Sequence, residues 1–188
     1  MAEPNRVIRL VTPSRDYLAG YVVALEAGWS PDTTQDVHAE HLVSIRRDAD
    51  AFLADLSSQD GPIRHGDGRI TPRLPARQFW LWDGEFCGMI GLRFERGGVD
   101  LPPYVPGHVG YAVVPWKRRR GYATAALAQL LPMARELGLA RVFLVCEAGN
   151  TASRRAIEKN GGVPAGANSF PPTGALRRDE IGYWIVLG

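Results

Sequence analysis

The feature that most constrains this chain is the stretch from His108 to Arg135, HVGYAVVPWKRRRGYATAALAQLLPMAR. It reads as strand, basic turn and helix. Gly107 to Val114 is apolar and rich in β-formers, and Pro115 ends it. Lys117 to Arg120 are four consecutive basic residues, and Gly121 follows them. Apolar residues then recur at Ala123, Ala126, Leu127, Leu130, Ala134 and Leu137, the spacing of one helix face. A helix that starts directly after a glycine and a basic turn presents free N–H groups and a positive dipole end to that turn. Such an arrangement binds anions, phosphate most naturally.

The basic residues matter because they are clustered. Over 188 residues the formal net charge is only +2, which argues against a nucleic-acid partner held by overall charge and for a local anion site. No apolar run approaches about 20 residues, so no membrane span is expected. The start, MAEPNRVIRL, lacks the apolar core of a signal peptide, and a cytoplasmic location is expected. Cys87 and Cys146 both sit in apolar, strand-like runs and read as buried free thiols. No Cys/His cluster has metal-ligand spacing, so no metal is expected.

Arg6–Val11 alternates as a short strand, and Pro13-Ser14 reads as a stop followed by a helix N-cap. Tyr17, Leu18, Tyr21, Val22 and Leu25 form a helical stripe that ends near Gly28. After a turn at Pro31 to Thr34, the positions of Leu42, Ile45, Ala49, Phe52, Leu53 and Leu56 predict one second helix. Gln59–Ala76 mixes Gly, Pro and Arg without periodicity and reads as a long loop. Gln78–Trp82 and Phe86–Phe94 are β-prone runs joined through Asp83-Gly84, which predicts a hairpin with a type I′ turn. Gly97–Gly107 is a second loop. Pro132 falls inside the helix after the basic turn, so a kink or break near Leu131 is expected. Arg141–Glu147 reads as a strand buried on both faces. Asn150 starts a short helix closed by Asn160-Gly161-Gly162, and Ile181–Leu187 is a last strand. The order β-α-α-β-β-β-α-β-α-β-β predicts a single α/β domain over residues 1–188 with a mixed sheet flanked by helices.

This order, with Arg118-Arg119-Arg120-Gly121-Tyr122-Ala123 at the turn, resembles the GCN5-related N-acetyltransferase (GNAT) family. That family's pyrophosphate signature is Gln/Arg-x-x-Gly-x-Gly/Ala. A second likeness is Asn150-Thr151-Ala152-Ser153 through Glu158-Lys159-Asn160-Gly161-Gly162, similar to the family's Asn-x-x-(Ala/Ser) helix closed by Glu-Lys-x-Gly. Gly107–Tyr111 and Ile157–Gly162 are most similar to bacterial predicted acetyltransferases.

The resemblance implies a splayed central sheet and acetyl-CoA as acyl donor. The pyrophosphate would lie on the backbone N–H groups of Arg120, Gly121, Ala123 and Thr124, with Tyr122 within the same motif. Lys117, Arg118 and Arg119 would supply side-chain charge. The backbone of Val113 and Val114 would hold the pantetheine arm and the acetyl carbonyl, and Asn150 and Ser153 would contact pantetheine or the sulfur.

The reaction implied is attack of a primary amine of a small molecule, amino acid or peptide on the thioester, which needs a base. His108 is the first candidate, because the resemblance places a catalytic carboxylate near the start of this strand and histidine titrates near neutral pH. Glu147, at the end of the next strand, is the second. Many members protonate the leaving thiolate with a tyrosine seven residues after the motif asparagine. Here that position is Ile157, which leaves Tyr111 and Tyr183 as substitutes or solvent as the acid. Arg64, His65, Arg69, Arg73 and Arg77 of the long loop suggest either a carboxylate subsite or a solvated basic loop, and of Trp29, Trp80, Trp82 and Tyr104 on the acceptor side the tryptophans read mainly as core. A non-catalytic acyl-CoA-binding sensor or partner subunit is the alternative from another class. The sequence leaves a homodimer open.

Overall fold

The computed structural model describes residues 7–33, 35–58, 61–64, 68, 70–95, 101–102, 105–166 and 176–188. In chain order the elements are β1 (Arg9–Val11), α1 (Arg15–Glu26), α2 (His38–Arg47), α3 (Ala49–Ser57), β2 (Pro62–Arg64) and β3 (Ile70–Pro72). There follow β4 (Ala76–Trp82), β5 (Phe86–Arg93), β6 (Val109–Val113), a 3-10 turn (Pro115–Lys117) and α4 (Tyr122–Glu136). The chain closes with β7 (Arg141–Glu147), α5 (Thr151–Lys159), β8 (Val163–Pro164) and β9 (Glu180–Val186).

The strands form one sheet in the order β1-β4-β5-β6, a second in the order β7-β9-β8, and a small β2-β3 hairpin. Every ladder among the described residues is antiparallel. The facing edges are β6 and β7, joined through α4, the kind of crossover that parallel neighbours need. The expected α/β fold with a splayed sheet flanked by helices is what forms, and the splay lies between β6 and β7, where the two ladders separate.

Two cores form on the two faces. Tyr21, Leu25, Trp80, Phe86 and Val114 pack beneath α1, α2 and α3. Leu127, Leu130, Val142, Leu144 and Ile157 pack beneath α4 and α5. In the first core Tyr21 stacks on Trp80 with centroids 4.7 Å apart, a contact worth about 1 kcal/mol beyond its area. Cys87 and Cys146 are buried free thiols, as their apolar surroundings predict.

Four local readings are corrected. The predicted second helix is two, because Asp48 is extended at φ −161° and its carboxylate caps α3 through the N–H groups of Asp50 at 3.1 Å and Ala51 at 3.0 Å. An aspartate satisfies two orphan donors there, which outweighs continuation of the apolar stripe. The long loop contains the β2-β3 hairpin. The Asp83-Gly84 turn is not type I′: among the described residues only Gly84 has positive φ in it, at +109°. The loop is Asp83-Gly84-Glu85, with the register shifting so that Trp82 faces Phe86. Finally, α4 runs unbroken through Pro132. Leu127, Leu130 and Ala134, each 0% exposed, hold both halves of that helix to the core.

Candidate active site

The splay begins at His108. Its N–H donates to Phe143 O at 2.8 Å, and its Nδ1 accepts from the Phe143 N–H at 2.9 Å. Beyond this clasp β6 and β7 share no ladder. Val114 N–H donates to Cys87 O at 3.0 Å, and Arg93 N–H donates to His108 O at 2.7 Å. Peptide groups alternate sides along a strand. Gly110, Ala112 and Val114 therefore turn their main chain toward β5, while Tyr111 and Val113 turn theirs toward the gap. The expected backbone pair Val113 and Val114 is thus split: Val113 faces the opening and the Val114 N–H is already used.

A cavity of about 770 Å³ starts at the gap and runs over the basic turn. Its walls are the α1–α2 loop with Trp29 and Asp32, the strand residues Tyr111 to Val113, the turn, and the start of α5. The turn is shaped by two left-handed residues, Arg119 at φ +61° and Gly121 at φ +81°. Gly121 is the N-cap of α4 and makes no side-chain cap bond, so the first amides of the helix are left for the cavity. Tyr122, Ala123 and Thr124 line it there. Arg118 Nε donates to Val113 O at 3.2 Å, which ties the turn to the strand.

Beneath the turn lies a network that the sequence reading missed. Lys117 Nζ donates to Asp83 at 3.1 and 3.0 Å and pairs with Glu85 at 2.8 Å. Tyr122 Oη donates to the same Asp83 carboxylate. Burial pushes the Asp83 carboxyl up, but hydrogen bonds from Tyr122 and Lys117 outweigh it and hold the group at about 2. Burial lowers the Lys117 ammonium, and its bonds to Glu85 and Asp83 more than reverse that. Lys117 is 6% exposed, so its ammonium is a strut under the turn and not a phosphate ligand. Tyr122 likewise offers the cavity its backbone, while its hydroxyl is held by Asp83. The only sequence signal for this network was an aspartate in a hairpin loop, a residue type that such loops favour anyway.

At the other end, Asn150 Oδ1 caps α5 by accepting from Ser153 N–H at 3.0 Å. Ser153 Oγ lies 2.8 Å from Tyr111 Oη, and both residues line the cavity. Burial pushes the Tyr111 hydroxyl up to about 12, opposed by its bond to Ser153. Burial also raises the Cys146 thiol, again opposed by a hydrogen bond with Ser153. Ile157 is 1% exposed and packs into the core. Tyr183 is occupied by Arg154 at 3.2 Å and Glu158 at 3.2 Å, away from the cavity wall.

The two expected bases are not brought to the cavity. His108 is 1% exposed and clasps Phe143. Glu147 is exposed at the far end of β7, where its carbonyl accepts from Asn150 N–H at 3.0 Å. Among the described residues, the carboxylate that lines the cavity is Asp32. Of the expected basic loop, the described side chains of Arg73 and Arg77 are not part of the wall. Arg73 pairs with Asp55 at 2.8 Å and Arg77 is exposed on β4. His65, Arg69, Tyr104 and the side chain of Arg64 lie outside the described residues. Trp80 is core, at 0% exposed, whereas Trp29 is both core and cavity wall.

An α/β domain with a splayed sheet, a glycine-capped helix facing a basic turn and a cavity between the two defines an acyltransferase fold. The profile of the Acetyltransferase (GNAT) domain matches residues 31–163, and the chain belongs to that family of N-acetyltransferases. Among solved structures, Mycobacterium smegmatis RimJ in complex with CoA-disulfide is similar at 23% identity and TM-score 0.63, over 97% of this chain and 83% of that one. A putative ribosomal-protein-serine acetyltransferase from Vibrio cholerae is similar at 17% identity and TM-score 0.57, over 96% of this chain and 94% of that one. The Salmonella typhimurium acetyltransferase that modifies the N-terminal serine of ribosomal protein L7/L12 shares 14% identity at TM-score 0.54, over 98% of each chain. These likenesses concern the fold. A comparison with curated protein sequences finds no significant match.

Proposed function

We propose that this N-acetyltransferase takes its acetyl group from acetyl-CoA and passes it directly to a primary amine of a small molecule, amino acid or peptide. One observation carries the reading: the uncapped start of α4 opens into the same cavity as the outward-facing edge of β6. A pyrophosphate on the amides of Gly121 to Thr124, with Arg118 and Arg119 beside it on the cavity wall, is matched in charge. The pantetheine arm then follows β6 and meets the main chain of Tyr111 and the N–H of Val113, the Val113 carbonyl being held by Arg118. An N–H from that edge stabilises the oxyanion as the amine adds to the thioester carbonyl.

Two side chains handle the protons. Asp32 takes a proton from the acceptor's ammonium so that the neutral amine can attack, the role first expected of His108 or Glu147. Tyr111 gives its proton to the leaving thiolate, in place of the tyrosine that Ile157 replaces. A hydroxyl held near 12 stays protonated at neutral pH and so carries the proton to be given. His108 serves as the clasp that sets the angle of the splay.

The experiment is incubation with acetyl-CoA and a panel of primary amines, with free thiol as readout. Acceptor-dependent thiol release is expected. Tight CoA binding with no release for any amine would contradict the reading and leave a non-catalytic acyl-CoA-binding module.

A further inference from the structure

Arg93 ends β5 on the face that carries α1, α2 and α3. Residues opposite one another in an antiparallel pair share a face. The register sets Met89 against Ala112 and Gly91 against Gly110, and Met89 and Ala112 both pack on the core beneath α1, α2 and α3. Arg93 follows in the same alternation. A Cβ on Gly110 would come within 3.1 Å of Arg93 Nη2, so the guanidinium lies across the bare backbone of that glycine. Gly110 adjoins Tyr111 and Ala112, which line the cavity. Among the described residues the Arg93 side chain has no hydrogen bond or ion pair. Burial presses its pKa down, and the charge that opposes this is Asp32, on the cavity wall.

We propose that Arg93 anchors a carboxylate in the acceptor site, and that the acceptor is a carboxylate-bearing amine of the amino-acid class. The proposal rests on the acetyl-transfer reading above. A largely covered guanidinium with no ion pair among the described residues, and with only the charge of Asp32 to oppose its burial, is costly, and a carboxylate ligand offsets that cost through two parallel N–H···O bonds. Asp32 and Arg93 together present a negative and a positive group, the complement of an amino acid's ammonium and carboxylate. The carboxylate-binding group of this proposal is a strand residue, whereas the sequence pointed to arginines of the long loop.

The test is thiol release from acetyl-CoA with the proteinogenic amino acids and, in parallel, their carboxamides. At least one acid is expected to exceed its amide roughly 10- to 100-fold in kcat/KM, the range for a charged hydrogen-bonded contact. Arg93→Met should bring that ratio toward one through KM for the acid, and Arg93→Lys should restore part of it. If Arg93→Met does not fold, the ratio on the unaltered protein reads the same preference. A ratio near one, or a ratio that Arg93→Met leaves intact, overturns the proposal. So does failure of every acid with acetyl-CoA still bound. Loss of acetyl-CoA binding itself would instead overturn the reading on which the proposal stands.

Discussion

Lys117 Nζ sits 3.1 and 3.0 Å from the two carboxylate oxygens of Asp83, and Tyr122 closes the same carboxylate from the other side. The pair joins the β4-β5 loop to the two ends of the basic turn. The turn is therefore held from below, which leaves its upper surface of amides and arginines to meet a ligand.

Asp83→Asn should cost about 3 kcal/mol at neutral pH, because it leaves a buried ammonium with less than its full counter-charge. Chemical denaturation measures this. The pH dependence has a definite sign. Folding lowers the Asp83 pKa from 3.8 to about 2, so the unfolded chain binds that proton first. The stabilisation is complete above 3.8 and is lost as pH falls through about 2. It amounts to about 1 to 2 kcal/mol after solvent screening. The acid loss between those limits should be absent in Asp83→Asn.

Tyr111→Phe removes the hydroxyl that faces Ser153 without changing the ring. We expect kcat to fall roughly 10- to 100-fold, with CoA affinity nearly unchanged. Because the hydroxyl is held near 12 rather than 10, kcat in the unaltered protein should show no alkaline decline from this group up to about pH 10. Steady-state kinetics across pH checks both.

His108→Ala leaves the Phe143 N–H without its acceptor inside the protein. Stability should fall by about 2 kcal/mol, seen as a lower Tm. The kcat of the folded fraction should fall less than about threefold, whereas a general base would cost about a hundredfold or more.

The strand, the basic turn and the helix after it were legible because each has its own local cause. Pro115 stops the strand, Gly121 takes the left-handed position, and apolar spacing carries α4. Asn150 was legible for the same reason, since a cap acts within three residues. What could not be read were contacts between distant residues. Nothing local separates Lys117 from the three arginines after it, and it is the approach of Asp83 and Glu85 that turns it inward. Arg93 read as one position in an apolar run, and its setting depends on Gly110 in the next strand. His108 read as a base because the resemblance places a catalytic carboxylate near the start of this strand, yet its ring nitrogen accepts from the Phe143 N–H, a contact 35 residues away in sequence. The split at Asp48 shows one local signal overriding another.

The central claim is that the start of α4 holds the cofactor's phosphates, and Ala123→Glu tests it most directly. A carboxylate in the first turn of a helix favours the helix dipole, so the folded protein should keep its Tm or gain a little. The same carboxylate faces the proposed pyrophosphate site. Calorimetric titration with CoA should show affinity at least roughly tenfold weaker than in the unaltered protein. Unchanged CoA affinity in a folded Ala123→Glu protein would contradict the account.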